Sequence, residues 1–222
     1  PALLDIIEAA MYLYSRGEFI ICMKILAAGC LHNDTTLIEG LAEQAENESV
    51  DLVVLCGDLT MGEQSTSNIL GPFVKRGKKV ALIPGNHETI ATADFLAKKY
   101  GAINLHGYGL HLGDVGLFGC GGANIGLFQL SESEIFSQLY KSHKYVKDAK
   151  KRVMVTHVHP AESMMEQFSE FVKGSTGVTK AIDILKPDLL LCSHVHEASG
   201  LEETIGTTRV LNVSKVGKVI EI

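Results

Sequence analysis

Leu52-Val53-Val54-Leu55-Cys56-Gly57-Asp58 is an apolar run that stops at a glycine and an aspartate. Its length suits one buried strand, and its end sets a carboxylate just beyond that strand. The arrangement recurs along the chain. Polar segments follow apolar runs at Cys30-Leu31-His32, Gly85-Asn86-His87-Glu88, His157-Val158-His159 and His194-Val195-His196. In open α/β sheets ligands collect beyond the carboxyl ends of the strands, so the five segments are expected to share one rim. A single histidine is more often a hydrogen-bonded structural residue than a ligand. Five ordered segments at five strand ends point instead to a metal site.

Outward from Leu52–Asp58, strand-like and helix-like segments alternate from Met23 onward, the pattern of an α/β layered fold. Strands are expected at 24–28, 52–56, 80–83, 152–156 and 189–192, and helices at 35–47, 66–75, 92–100, 133–147 and 161–172. The stretches 110–118 and 208–222 read as hairpins or edge strands. Residues 1–22 are expected to form an accessory amphipathic helix preceding a single domain over 23–222, because Leu3, Leu4, Ile6, Ile7, Ala10, Met11 and Tyr14 fall at helical spacing. Asp5 and Glu8 interrupt that segment, which reads neither as an export signal nor as a membrane anchor. Its apolar face offers a surface for the body of the protein or for a second copy in a homo-oligomer.

With 222 residues the chain can bury a substantial core. A formal net charge of −6 argues against a surface devoted to nucleic-acid phosphates. The five cysteines are odd in number and several lie inside apolar runs, so a disulfide framework is not expected and the cytoplasm is the expected compartment. Gly119–Gly122 lacks the third glycine of a dinucleotide fingerprint, and no phosphate-loop Gly-Lys-Ser/Thr occurs.

Asp-x-His, Gly-Asp, Gly-Asn-His-(Asp/Glu), His and Gly-His-x-His, in that order, form the pattern of the calcineurin-like metallophosphoesterases, and the chain resembles that family from Met23 to its end. Gly119-Cys120-Gly121-Gly122-Ala123-Asn124, Ser131-Glu132-Ser133-Glu134 and Leu211-Asn212-Val213-Ser214 are similar to stretches of its compact, capless Icc-related branch. The resemblance implies a four-layer αββα sandwich. It also implies two divalent transition-metal ions (Mn, Fe or Zn), the first held by Cys30, His32, Asp58 and His196, the second by Asp58, Asn86, His157 and His194. Asp58 would bridge, since a carboxylate offers two anionic oxygens to cations about 3.5–4 Å apart. A metal-bridging hydroxide would attack phosphorus and His87 would protonate the leaving alkoxide, with Glu88 orienting or charging the ring.

The chain departs from the pattern at two places. Cys30 stands where an aspartate is usual, and three readings are open: a thiolate ligand favouring softer metals, a buried hydrophobe with the first metal weak or missing, or a spectator whose role passes to the carboxylate of Asp34. Ser193 replaces the glycine before the final His-x-His. His157, directly after a strand, is favoured over His159 as ligand. His106, His111 and His143 read as surface or loop residues. The functional readings are a phosphodiesterase acting on small phosphate esters, a phosphomonoesterase with the same centre, and a scaffold that has lost catalysis. The loops 60–68 and 121–130 are expected to set specificity.

Overall fold

The computed structural model describes residues 23–169 and 171–222, so the helix expected over residues 1–22 lies outside the described residues. Two mixed sheets are present. The first has the order β11-β1-β2-β3-β4, made of Lys218–Glu221, Lys24–Ala28, Leu52–Cys56, Lys79–Ile83 and Ile103–Asn104. The second has the order β5-β6-β7-β8-β10-β9, made of Gly109–Leu112, Val115–Cys120, Lys151–Thr156, Leu189–Cys192, Thr208–Asn212 and Glu202–Ile205. Strands β1 to β4 run parallel, as do β6, β7, β8 and β10, while β11, β5 and β9 are antiparallel edges.

Every residue of Leu52–Cys56 is buried because the strand is covered on both faces. Leu52, Val54 and Cys56 point into a layer between the two sheets with Ile25, Ala27, Ile83, Leu117, Val155 and Leu191. Val53 and Leu55 point the other way, against helices α1 (Thr35–Asn47), α2 (Gly71–Lys75) and α3 (Ile90–Tyr100). On the far side of the second sheet lie α4 (Glu132–His143) and α5 (Thr176–Leu185), packed on Phe118, Met154 and Leu190. Helix, sheet, sheet and helix layers give the expected αββα sandwich.

Local chemistry sets the helix ends. Asp34 caps α1, its Oδ1 accepting from the backbone N–H groups of Thr36 and Leu37 at 3.0 Å each. Ile38, Leu41, Ala42 and Ala45 then form the buried stripe. Ser131 and Glu134 cap α4 reciprocally. Helix α2 is shorter than the expected 66–75: Asn68 is left-handed (φ 59°), and Pro72, which has no N–H to donate, sits in the first turn of the helix.

The helix expected over 161–172 is a correction. Among the described residues of that stretch a single 3₁₀ turn, Met164–Phe168, forms. Glu162 is left-handed (φ 62°), and the Glu166 carboxylate accepts from the N–H groups of Glu162 and Gly174 at 2.7 Å each, closing a loop where a helix was expected. The helix falls later, at Thr176–Leu185. There Ser175 Oγ caps the first turn and Pro187 follows the left-handed Lys186.

Leu55, fully buried between β2 and the helices, tests this packing. Leu55→Ala is expected to cost about 2–5 kcal/mol, read as a lower denaturant midpoint with an unchanged m-value.

Candidate metal centre

The carboxyl ends of β1, β2, β3, β7 and β8 meet at the same rim, and each delivers one of the segments singled out in the sequence. Four of the delivered residues have left-handed backbone: Cys30 (φ 55°), His32 (φ 46°), Asp58 (φ 51°) and His194 (φ 75°). This is costly for residues with a Cβ. It turns their side chains off the strand direction toward a common point.

His157 is the best-defined member. Its ring is fully buried, and Nδ1 donates to the Cys56 carbonyl at 2.8 Å, leaving Nε2 to face the cluster. Nε2 lies 3.0 Å from Asn86 Oδ1, 3.1 Å from His194 Nδ1 and 3.3 Å from Asp58 Oδ2. His32 Nε2 is 3.7 Å from the same Asp58 Oδ2 and 3.4 Å from His196 Nε2. Cys30 Sγ accepts from the His194 N–H at 3.3 Å. Among the described residues three sets of potential ligand atoms each lie within 4.8 Å of one another: Cys30, His32 and His196; Cys30, Asp58 and His157; His32, Asp58 and His87.

This donor set suits a cation. Carboxylate, carboxamide and imidazole lone pairs repel when they face one point, unless a proton or a cation sits among them. The charge balance shows the strain. Burial alone would raise the Asp58 carboxyl, but the charge and hydrogen bond of His157 hold it below the usual carboxylate range. Burial opposes a charge on His157, yet Asp58 outweighs it and raises that ring's pKa. Burial pushes His32 down to about 4 and His194 to about 3, the latter helped by the His157 charge. These are neutral imidazoles, the form that binds metals. Cys30 is pushed up to about 12 by burial and then by Asp58, so it is a thiol when no cation is near.

The remaining residues separate clearly. His87 stands at the edge, its ring centroid 4.9 Å from that of His32 in an edge-to-face arrangement. Glu88 does not orient it, which corrects the sequence expectation. The Glu88 carboxylate is buried and accepts from the N–H groups of Gly85 at 2.9 Å, Leu59 at 3.0 Å and Thr60 at 3.3 Å. It pins the β2 and β3 loops together. Asp34 is spent on its helix cap and supplies no carboxylate to Cys30. Ser193 Oγ donates to the Cys56 carbonyl at 2.5 Å and lies 2.9 Å from His157 Nδ1.

His159 is fully buried with neither ring nitrogen hydrogen-bonded, and among the described residues it joins none of the three ligand sets. His111 is exposed on β5, and His143 packs on Phe118. His106 is neither surface nor loose loop: it is buried, and its Nδ1 accepts from the Gly121 N–H at 3.1 Å. No local sequence signal marks it, because its burial comes from a glycine-rich loop folding over it.

Among known proteins, residues 23–198 match the family described as calcineurin-like phosphoesterase. No curated protein matches the chain in sequence. A solved structure of a Thermus thermophilus protein superposes with a TM-score of 0.71 at 16% identity, covering 90% of this chain and 99% of that one. A structure described as a novel archaeal phosphodiesterase gives 0.53 at 14%, covering 90% and 100%. A dimetal phosphatase of Danio rerio gives 0.58 at 9%, covering 86% of each chain. At these identities the likeness is one of fold.

Replacing Glu88 tests its pinning role. Glu88→Gln retains the volume but turns an amide NH2 toward backbone N–H donors. A loss of about 1–3 kcal/mol is expected in metal-free protein, measured by denaturant unfolding.

Proposed function

Because the chain belongs to the calcineurin-like phosphoesterase family, we propose that it is a metal-dependent phosphodiesterase of small phosphate esters with a dinuclear centre. The observation that carries this reading is the convergence of Asn86 Oδ1, His194 Nδ1 and Asp58 Oδ2 on His157 Nε2, beside a second group of Cys30, His32 and His196 whose His32 also approaches Asp58 Oδ2. In this reading Asp58 serves both halves. Asn86, His157 and His194 complete one, and Cys30, His32 and His196 the other. When bound, two divalent ions (Mn, Fe or Zn) supply positive charge that clamps phosphate oxygens and acidifies water.

The chain's own residues do the rest. The Asp58 carboxylate takes the His87 N–H at 3.0 Å through Oδ1, which fixes the turn carrying the His87 ring. His87 is the one histidine of the cluster that is only partly buried and has no assigned ligand role. It protonates the leaving alkoxide, a step suited to imidazole. The Cys56 carbonyl and Ser193 hold His157 in one tautomer. Among the described residues no rim loop carries an inserted domain, which favours small diesters.

Among the described residues no helix is long and apolar enough to cross a membrane. The four described cysteines are buried free thiols, as suits a reducing compartment, and we place the protein in the cytoplasm.

Mn²⁺-loaded protein is expected to hydrolyse bis(4-nitrophenyl) phosphate faster than the monoester. His87→Ala should lower diester turnover by about 10²–10⁴-fold. Preference for the monoester would move the assignment to phosphomonoesterase, and no turnover with Mn²⁺, Fe²⁺ or Zn²⁺ would leave the scaffold reading.

Cys30 has its own signature. A thiol of pKa about 12 must lose its proton to bind a metal, whereas an aspartate at that position enters already ionised. Calorimetric Zn²⁺ titration at pH 8 should show about one more proton released by the wild type than by Cys30→Asp. Equal release and equal affinity would rule Cys30 out as a ligand.

A further inference from the structure

Beside the metal centre lies a cavity of about 450 Å³, walled by Pro84, Ile90, Leu127, Phe128 and Leu130, with His106 in its lining. It adjoins the centre through shared residues. Gly85 lines the cavity and packs against the Asp58 carboxylate, so that a Cβ there would collide with it. The Phe128 N–H donates to the Asn86 carbonyl at 3.3 Å, and Gly126 packs on the Asn86 carboxamide. The Gly121–Leu130 loop thus spans from a candidate ligand to the cavity wall.

The cavity's chemistry is narrow. Leu127 is 73% exposed at the mouth, apolar surface that a ligand would cover. The Glu88 carboxylate is committed to backbone N–H groups and the Thr89 hydroxyl to Glu63, so neither is free to bind a ligand, while Gln129 lines the cavity from an exposed position. His106 differs. It is 7% exposed, its Nδ1 accepts from Gly121, and its Nε2 has no hydrogen-bond partner among the described residues. Burial lowers its pKa, so the ring is neutral near pH 7 and the proton sits on Nε2. The pocket therefore has mostly apolar walls, bordered by the exposed Gln129 and by a buried His106 whose orientation is fixed through Nδ1.

We propose that this cavity seats the alcohol side of the phosphodiester, and that the group it selects is a ring-sized apolar moiety bearing a hydrogen-bond acceptor, held by His106 Nε2–H. The proposal rests on the phosphodiesterase reading of the adjoining centre. A plain alkyl chain would leave the N–H buried and unpaired. A sugar would bring several hydroxyls to walls that offer them few partners. A heteroaromatic ring satisfies both the walls and the donor.

The test uses two isosteric diesters, quinolin-6-yl methyl phosphate and 2-naphthyl methyl phosphate, with Mn²⁺-loaded full chain. Wild type should favour the quinolinyl ester in kcat/KM by about tenfold, the worth of one neutral hydrogen bond. His106→Phe should reduce the ratio to about one through KM, and His106→Gln, which keeps an N–H donor, should restore most of it. Leu127→Asp, at an exposed position where folding is not at stake, should raise KM for both. Equal ratios in wild type and His106→Phe, with Leu127→Asp silent, overturn the proposal while turnover itself preserves the phosphoesterase reading.

Fluorescence titration with 6-hydroxyquinoline and 2-naphthol covers the reverse case. A hydroxyquinoline preference that is lost in His106→Phe, without turnover of any diester, keeps the ring site and overturns the phosphodiesterase reading. Neither preference nor turnover overturns both.

Discussion

The carbonyl oxygen of Cys56 holds the candidate centre together. It belongs to β2 in the first sheet, yet its donors, His157 Nδ1 and Ser193 Oγ, come from the ends of β7 and β8 in the second. The apolar layer between the sheets brings them together without fixing one strand end against another, because hydrophobic packing is not directional. The hydrogen bonds to Cys56 supply that direction. They also decide which nitrogen of His157 faces Asp58, Asn86 and His194. Gly57, the next residue, must be glycine: its φ is 84°, and a Cβ there would come within 2.7 Å of both His157 Nδ1 and Gly85 Cα.

With the sheets registered, the rim can hold strained backbone. Cys30, His32, Asp58 and His194 are left-handed, at a cost of about 1–2 kcal/mol each. Backbone bonds offset part of it: the Cys30 N–H donates to the Gly57 carbonyl and the His32 N–H to the Asp58 carbonyl, both at 2.9 Å. These bonds tie the β1 loop to the β2 loop. The Glu88 carboxylate does the same between the β2 and β3 loops. Three loops are thus locked before any side chain meets a metal, which is the kind of preorganisation a coordination site needs.

This division explains how much could be read from the sequence. Strands such as Leu52–Cys56 and Leu189–Cys192 were legible because burial on both faces demands unbroken apolar runs, and the polar residues after them follow from the chain leaving the sheet. The helix at Thr176–Leu185 was not legible. Its glycine and β-branched residues are weak helix formers, whereas residues 161–168 have better propensity but are overruled by the long-range bonds of Glu166. The Glu88 and His106 expectations fail, and the Asp34 alternative stays open in the sequence, for one reason. Each makes its decisive contact with backbone N–H groups, and sequence spacing carries no signal for a side chain's backbone partners.

Electrostatics gives the centre its character. The buried lone pairs of the cluster are tolerated because His157 is raised while His32 and His194 are held neutral, so positive charge concentrates beside Asp58. On the proposed reading, a cation takes over that place and the His157 proton leaves, making affinity fall as pH drops through the raised His157 range. Cys30 adds a second proton to displace, and burial makes it a hard one. Only a cation with real affinity for sulfur gains enough from the thiolate to offset that cost. On the proposed reading, cysteine in place of the family's usual aspartate would shift which metals can fill the site.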